Sequence, residues 1–191
     1  MTSGASTAGI EWAVHARFLR YLATLADGAC RIGDGVRTTA EGAFLFPRPV
    51  PAGSDVPGLD AAVADAAVSD ADRCDGFVEF SGHSGVLNVW LARPGVEARE
   101  GRWVLAAEID RTGTRAAIAD LNRTREGPRS TTFDVSLREE AVGVFGGVYE
   151  AGQSLAPLVL HHLPRPGRDL DRTHSNEMEK QRWPVAEGLN R

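Results

Sequence analysis

Two side chains in this sequence stand out for the chemistry that they could support: a tyrosine in the first predicted helix and a histidine between glycines. Tyr21 is one of two tyrosines, and a phenolate is a hard anion that suits ferric iron, as in catalase. The ordinary pKa of tyrosine, near 10, means that ionising it at pH 7 costs about 4 kcal/mol, most of which the metal must supply. A tyrosine at a helical core position is more often a packed aromatic with a satisfied hydroxyl, so both interpretations stay open.

The histidine is His83, which lies between Gly82 and Gly85 at the predicted end of a strand. Glycines at such a position allow a flat ligand to approach the backbone closely. A ring N–H donated to a phenolate would favour the charged form of that oxygen, whereas the alternative interpretation is a simple turn histidine. This segment lacks the Gly-x-Ser-x-Gly spacing of a nucleophile elbow, so the sequence does not predict a serine hydrolase site.

The remaining metal-ligating and redox-active residues give weaker signals. Cys30 and Cys74 are far apart and lie in no CxxC motif, so we expect two reduced thiols rather than a zinc site. His161 and His162 are expected to be an exposed pair, because a metal site would need a third ligand such as His174 nearby.

Composition places the chain among ordinary soluble globular proteins. It has 191 residues, of which 42% are apolar and 25% charged, and a chain of this length can bury roughly 70% of its unfolded surface without a metal or disulfide. The net charge is −5, and Lys180 is the only lysine. Since binding to nucleic acid depends on neutralising phosphates, this acidic balance argues against a nucleic-acid partner.

The N-terminus and the hydropathy pattern bear on location. The first nine residues carry neither a basic n-region nor an apolar h-region, and no stretch approaches 18 consecutive apolar residues. The sequence therefore predicts no signal peptide and no transmembrane helix. We expect a cytoplasmic protein without membrane contact.

An amphipathic helix is predicted from about residue 10 to residue 25. Its apolar residues recur at helical spacing. They are Val14, Phe18, Tyr21, Leu22 and Leu25. Ser6 or Thr7 would cap the start of this helix, and His15 lies off the apolar stripe, so we expect it at the surface.

Period-2 alternation predicts a series of short strands after this helix. The alternating segments are residues 77–80, 86–92, 103–109, 114–121 and 131–137, and residues 44–46 form a further short apolar run. Their spacing of roughly ten residues, with Gly and Pro turns and no helical pattern between them, predicts antiparallel β-sandwich or barrel-like sheets.

A second helix is predicted near the end of this series. Ser136 to Glu139 read as a capping box, and an apolar stripe continues from Leu137 to Val148. The fold class predicted from the sequence is therefore mainly β, with two α-helices. Residues 52–75 read as a long loop, with a weak helical turn near residues 59–67.

Three blocks in this order resemble the HtaA-domain family, which is known for haem binding and haem uptake in actinobacteria. The first block is Trp12-Ala-Val-His-Ala-Arg-Phe-Leu-Arg-Tyr21, similar to the family's Trp-Gly-x-x-x-Ser-Phe-Arg-x-Tyr opening. The second is Gly76-Phe-Val-Glu-Phe-Ser-Gly-His-Ser-Gly-Val-Leu87. The third runs from Leu137 to Gly152 and is followed by Leu155-Ala-Pro157, similar to the family's closing helix.

The resemblance implies a haem site with specific residues. It implies that Tyr21 is the axial ligand of ferric haem b and that His83 hydrogen-bonds the phenolate oxygen. The family's serine, one turn before the tyrosine, is Arg17 here, which would pair with a haem propionate or narrow the pocket. Phe18 and Phe145 would be apolar walls of the haem pocket or simply core residues, as would Trp90.

The resemblance also implies the function. We expect one HtaA-like haem-binding domain over residues 10–164, an N-terminal extension over residues 1–9 and a polar C-terminal tail over residues 165–191. The expected role is haem transport, buffering or sensing, with haem as ligand and a haem donor or acceptor protein as partner. The alternatives are a haem-dependent enzyme that degrades haem or uses peroxide, and an HtaA-like domain that has lost haem.

Overall fold

The computed structural model describes residues 8–49 and 73–162. Ten strands in these ranges form one antiparallel sheet. The strands are β1 (Gly9–Trp12), β2 (Ala29–Gly33), β3 (Arg37–Thr38), β4 (Phe44–Pro47), β5 (Phe77–Gly82), β6 (Leu87–Arg99), β7 (Arg102–Glu108), β8 (Arg115–Glu126), β9 (Ser130–Leu137) and β10 (Leu158–His161).

The strand order makes the sheet curve back on itself. The order is β2-β5-β6-β7-β8-β9-β10-β1-β4-β3. Because the two edge strands, β2 and β3, are separated by only residues 34–36, the sheet is a nearly closed barrel. The prediction of a mainly β, antiparallel, barrel-like fold is therefore confirmed.

The helical elements within the described ranges are short. Helix α1 (Ala16–Thr24) lies between β1 and β2, the 3₁₀ turn His83–Gly85 follows β5, and the 3₁₀ helix Glu139–Phe145 follows β9. None of them has the length and apolar character that a membrane-spanning helix needs.

Side chains alternate between the two faces of each strand, and one face carries the core. On β5 and β6, Val78, Phe80, Val89 and Leu91 are all buried in that core. Trp90 is paired with Glu79 across the two strands, and both lie on the opposite face. The alternation predicted for residues 86–92 is confirmed.

The prediction of the first helix is wrong for its N-terminal part. Residues Gly9–Trp12 form β1, which pairs with both β10 and β4. Val14 has a φ of 57°, a left-handed conformation that a β-branched residue rarely adopts, and the helix begins only at Ala16. Pairing with distant strands therefore overrides the local helical pattern.

The second predicted helix differs from the structure in its start and its type. Alternating burial of β9 continues through Leu137, so Ser136 belongs to the strand and forms no capping box. Only a 3₁₀ helix follows, and Gly146 and Gly147, both with φ of 71°, come directly after it. Val148, predicted on the buried stripe, is 67% exposed.

Several sequence predictions fall outside the described residues. These are the turn near residues 59–67 and the tail over residues 165–191. The division at residues 9 and 164 stays a prediction. Cys30 lies exposed on β2, Cys74 is buried, and the two are not bonded to each other.

Helix α1 is capped by His15. Ser6 and Thr7, the predicted caps, lie outside the described residues. The Nδ1 atom of His15 accepts the backbone N–H of Arg17 at 3.1 Å and of Phe18 at 3.4 Å. The prediction that His15 lies at the surface is wrong, because its ring packs against the Tyr149 ring with centroids 4.9 Å apart and the residue is buried. Burial, and secondarily the Arg17 charge, lowers the pKa of His15.

We predict that Phe80→Ala lowers the free energy of unfolding by about 3–5 kcal/mol, because it leaves a cavity where a fully buried ring stood. Urea unfolding followed by circular dichroism measures this loss. Val86, which is 89% exposed, is the control, and Val86→Ala should change the free energy by no more than about 0.5 kcal/mol. Equal losses in the two variants would contradict the packing described here.

We predict that His15 makes folding stability depend on pH. Because the pKa of His15 is lowered in the folded state, its stabilising contribution is present above the ordinary pKa of 6.5 and is lost as the pH falls. Asparagine is also a good N-cap but does not titrate. His15→Asn should therefore lose less stability than the wild type between about pH 7.5 and about pH 5.5 in urea unfolding.

The matching removal of the cap is His15→Ala, which should cost about 1 kcal/mol at about pH 7.5. If His15→Asn and the wild type show the same pH dependence, the histidine is not the group whose protonation destabilises the helix start.

Candidate functional site

Helix α1 divides its side chains between the core and the surface. Phe18 and Leu22 are buried, whereas Arg17 is exposed and Tyr21 is 46% exposed. Residues four apart in a helix lie on the same face, so Arg17 and Tyr21 form one exposed row. The structure thus places the predicted ligand and the residue one turn before it on the same accessible surface.

The turn between β5 and β6 carries the second predicted site residue. Both His83 and Ser84 adopt left-handed backbone conformations, with φ of 52° and 54°. Their two N–H groups point to the carboxylate of Asp27, which lies just after α1. Oδ1 accepts the His83 N–H at 3.1 Å and Oδ2 accepts the Ser84 N–H at 2.5 Å.

The two backbone hydrogen bonds also change the pKa of Asp27. The backbone N–H of Ser84 makes the largest contribution to lowering the pKa of Asp27, and that of His83 adds to it. Asp27 is therefore a carboxylate that is held ionised by the turn to which it binds.

Tyr21 and His83 meet across the gap between the helix and the turn. The hydroxyl oxygen of Tyr21 and Nε2 of His83 share a short hydrogen bond, whose direction depends on which ring nitrogen carries the proton. The centroids of the two rings are 5.9 Å apart. The two residues that the sequence singled out for chemistry are thus in direct contact.

An aromatic layer lies beneath this row. Phe18 packs edge-on against Phe80, with centroids 5.1 Å apart, and against Phe145, with centroids 6.3 Å apart. Phe18 is 1% exposed and Phe145 is fully buried. Both predicted pocket residues are therefore brought together under α1, where they support the helix that carries Tyr21.

Tyr149 is a member of this region that the sequence interpretation left without a role. Its ring contacts those of His15, Phe18 and Phe145. Burial raises the pKa of Tyr149, and the nearby Arg17 charge opposes that rise. The half-buried Tyr149 thus lies at the Arg17 end of the exposed row.

Trp90 lies elsewhere. It stacks on Phe77, with ring centroids 4.4 Å apart, and the Arg111 guanidinium lies 4.7 Å from the centre of its ring. This cluster occupies the face of the sheet opposite to Phe80. The structure does not bring Trp90 together with Tyr21 and His83.

Two exposed apolar side chains are close in sequence to residues of this region. Within the described ranges the large hydrophobic residues that are exposed are Tyr21, Ile32, Val86 and Val148. Val86 follows the His83 turn and Val148 precedes Tyr149 in the chain. Small-molecule sites are lined mainly by apolar side chains together with a few polar groups, and exposed apolar side chains next to a polar pair could contribute such a lining.

The donor set restricts what kind of metal the site could take. Across residues 8–49 and 73–162, no group of three or more His, Cys, Asp or Glu side chains is placed to hold a metal ion. Tyr21 and His83 offer one oxygen and one nitrogen. A metal ion held here would have to bring most of its own ligands, as the iron of a haem does.

Sequence inspection could not identify Asp27 or Tyr149 as members of the site. Asp27 reaches a turn 56 residues later in the chain, and no local pattern connects the two. The one available signal was the presence of Tyr149 in the third block that resembles the HtaA-domain family.

Comparisons with known proteins agree with this architecture. Three solved structures from Corynebacterium glutamicum share the fold, each with a TM-score of 0.59 and 21% sequence identity. They are the C-terminal domain of HtaA, covering 84% of this chain and 98% of that one; the haem-binding protein HtaB, covering 81% and 91%; and the N-terminal domain of HtaA, covering 84% and 99%. No curated protein matches this chain in sequence.

The family comparison is more direct than these structural likenesses. The model of the HtaA family matches residues 7–161, which is most of the chain and includes all three blocks. The resemblance noted in the sequence is confirmed, and this chain belongs to the HtaA family.

Proposed function

We propose that this chain binds one ferric haem b on the exposed row of α1, with the Tyr21 oxygen as the axial ligand to iron. The observation that carries the proposal is the hydrogen bond between the Tyr21 hydroxyl and His83 Nε2. It places a ring nitrogen beside an accessible phenolic oxygen. When that nitrogen carries the proton, it is the donor that an anionic oxygen ligand needs.

The chain's own residues fit such a group. Haem supplies the porphyrin nitrogens, so the protein needs to add only an axial ligand, a donor to that ligand and an apolar surface. In this proposal the axial ligand is Tyr21 and the donor is His83. The exposed Val86 and Val148 contribute the apolar surface. The structurally similar HtaB is a haem-binding protein, which supports the same ligand here.

The role of His83 follows from the geometry. With its proton on Nε2, the ring donates to the Tyr21 oxygen and favours its charged form. Such a hydrogen bond to an ion is stronger than one between neutral groups. His83 thus holds the ligand ionised without itself contacting iron, as residues beyond the ligand shell commonly do.

Arg17 and the aromatic layer have supporting roles in this proposal. The Arg17 guanidinium lies on the same surface one turn from Tyr21 and pairs there with a haem propionate, a partly exposed interaction worth about 0–1 kcal/mol. Phe18 and Phe145 form the floor beneath the helix. Trp90 is not part of the proposed site, because it lies on the other face of the sheet.

A tyrosinate held by a histidine supports retention of ferric haem. We therefore propose haem transport, buffering or sensing, with a haem donor or acceptor protein as the exchange partner.

We predict that Tyr21→Phe keeps the fold but loses the ferric tyrosinate charge-transfer bands, because it removes only the hydroxyl of a half-exposed side chain. Absorption spectra of the purified protein during a hemin titration measure this. Tyr149→Phe is the matched control and should keep the bands. Unchanged bands in Tyr21→Phe, or their loss only in Tyr149→Phe, would remove Tyr21 as the ligand.

We predict that His83→Ala binds hemin roughly ten- to a hundredfold more weakly, because a charge-assisted hydrogen bond to the ligand oxygen is lost. The variant should also release hemin faster when the pH is lowered, since less then favours the ionised oxygen. Transfer of hemin to excess apomyoglobin measures the dissociation rate.

The control for this experiment is His161→Ala, since His161 is paired with Glu11 at 2.9 Å on the β10–β1 pair. It should leave the hemin dissociation rate unchanged. If His83→Ala changes only thermal stability while its dissociation rate equals that of the wild type, His83 is a turn residue and not part of the site.

A further inference from the structure

We propose that Asp27 is a positioning residue of this site, whose carboxylate holds the His83 turn in place and thereby holds the His83 ring against Tyr21. The effect on haem rests on the function proposed above, whereas the effect on the turn does not. No pattern in the sequence indicates this role, and it follows from the contacts of a single side chain.

The turn needs such a partner because its backbone is strained. A side chain makes the left-handed backbone conformation unfavourable. His83 and Ser84 nevertheless adopt it in succession, with φ of 52° and 54°. In this conformation two consecutive N–H groups point in the same direction and form a concave binding site for an anion. Asp27 supplies the anion.

The geometry of the contact requires a carboxylate. One oxygen of Asp27 accepts the His83 N–H and the other accepts the Ser84 N–H. Asparagine has nearly the same size, but it has only one acceptor oxygen, and its amide N–H₂ would face the second backbone N–H. An Asp27→Asn substitution therefore opposes the turn while it leaves the volume of the side chain almost unchanged.

Asp27 also lies directly after the helix that carries Tyr21. Tyr21 lies in α1 and Asp27 lies in the turn after Thr24, where the Gly28 N–H donates to the Leu25 carbonyl at 3.2 Å. The segment that carries the phenolic oxygen thus also carries the carboxylate. It holds the His83 turn at two points, once through the ring and once through the backbone.

The first test uses the protein without haem. In Asp27→Asn the amide proton of Ser84 should move upfield, because it loses a bond to a carboxylate, and the nuclear Overhauser contact between the Tyr21 and His83 rings should weaken. Asp134→Asn, an exposed strand substitution that removes the same charge, should change neither signal. Unchanged Ser84 and ring signals in Asp27→Asn would overturn the proposal.

The second test is a double-mutant cycle on hemin dissociation. Asp27→Asn should release hemin roughly three- to tenfold faster than the wild type, as expected for a weakened charge-assisted hydrogen bond. Added to His83→Ala, it should change the rate by less than about twofold, because the residue through which it acts is gone. An equal acceleration in both backgrounds would show that Asp27 acts through its charge or through overall stability, and would overturn the proposal.

The two tests separate the two proposals. If the wild type binds no hemin, the proposed function fails, while the Ser84 shift and the ring contact still decide whether Asp27 holds the turn. If hemin binds but the turn signals do not respond to Asp27→Asn, the haem site stands and the role of Asp27 does not.

Discussion

The contact between Phe18 and Phe80 determines how the site is assembled. Their rings meet edge to face, with centroids 5.1 Å apart, between α1 and β5. Tyr21 follows Phe18 by three residues, and His83 follows Phe80 by three residues. Because both partners are buried, the helix and the strand have little freedom to move relative to each other. A hydrophobic contact thus sets the distance between two polar groups at the surface.

The opposite face of the same strands is organised by charge. Glu79 accepts hydrogen bonds from Arg31 at 3.0 Å and from Arg111 at 2.7 Å, and Arg111 also lies over the Trp90 ring. Both arginines are largely exposed, so each ion pair adds little stability. Removing both would leave the mostly buried Glu79 carboxylate without a partner, which is costly. The carboxylate of Glu79 thus links β2 to the segment between β7 and β8, and Trp90 packs against Arg111 on this face.

The architecture of this chain and the residues of its candidate site bear on function in different ways. Structures that share 21% identity with this chain establish the barrel-like architecture, but an architecture does not carry a ligand. The Tyr21–His83 contact is the feature of this chain that supports haem as the proposed ligand. The carboxylate of Asp27 adds a feature that belongs to this chain's own residues, since it stabilises a turn with two strained positions.

The sequence by itself determined the elements whose signals are local. Period-2 alternation was sufficient to predict β5 to β9, and helical spacing placed Tyr21 on α1. The three ordered blocks together were sufficient to predict membership of the HtaA family. Periodic patterns of this kind involve residues that are close together in the sequence, so they can be identified without knowledge of the fold.

Tertiary structure decided what depends on distant partners. Residues Gly9–Trp12 became a strand because β10, nearly 150 residues later, and β4 pair with them. His15 became a buried cap because Tyr149 packs on it. Asp27 entered the site because the folded barrel brings the end of α1 to the β5–β6 turn. In each case the free energy that stabilises the observed arrangement comes from contacts between residues far apart in sequence, and no local pattern encodes these contacts.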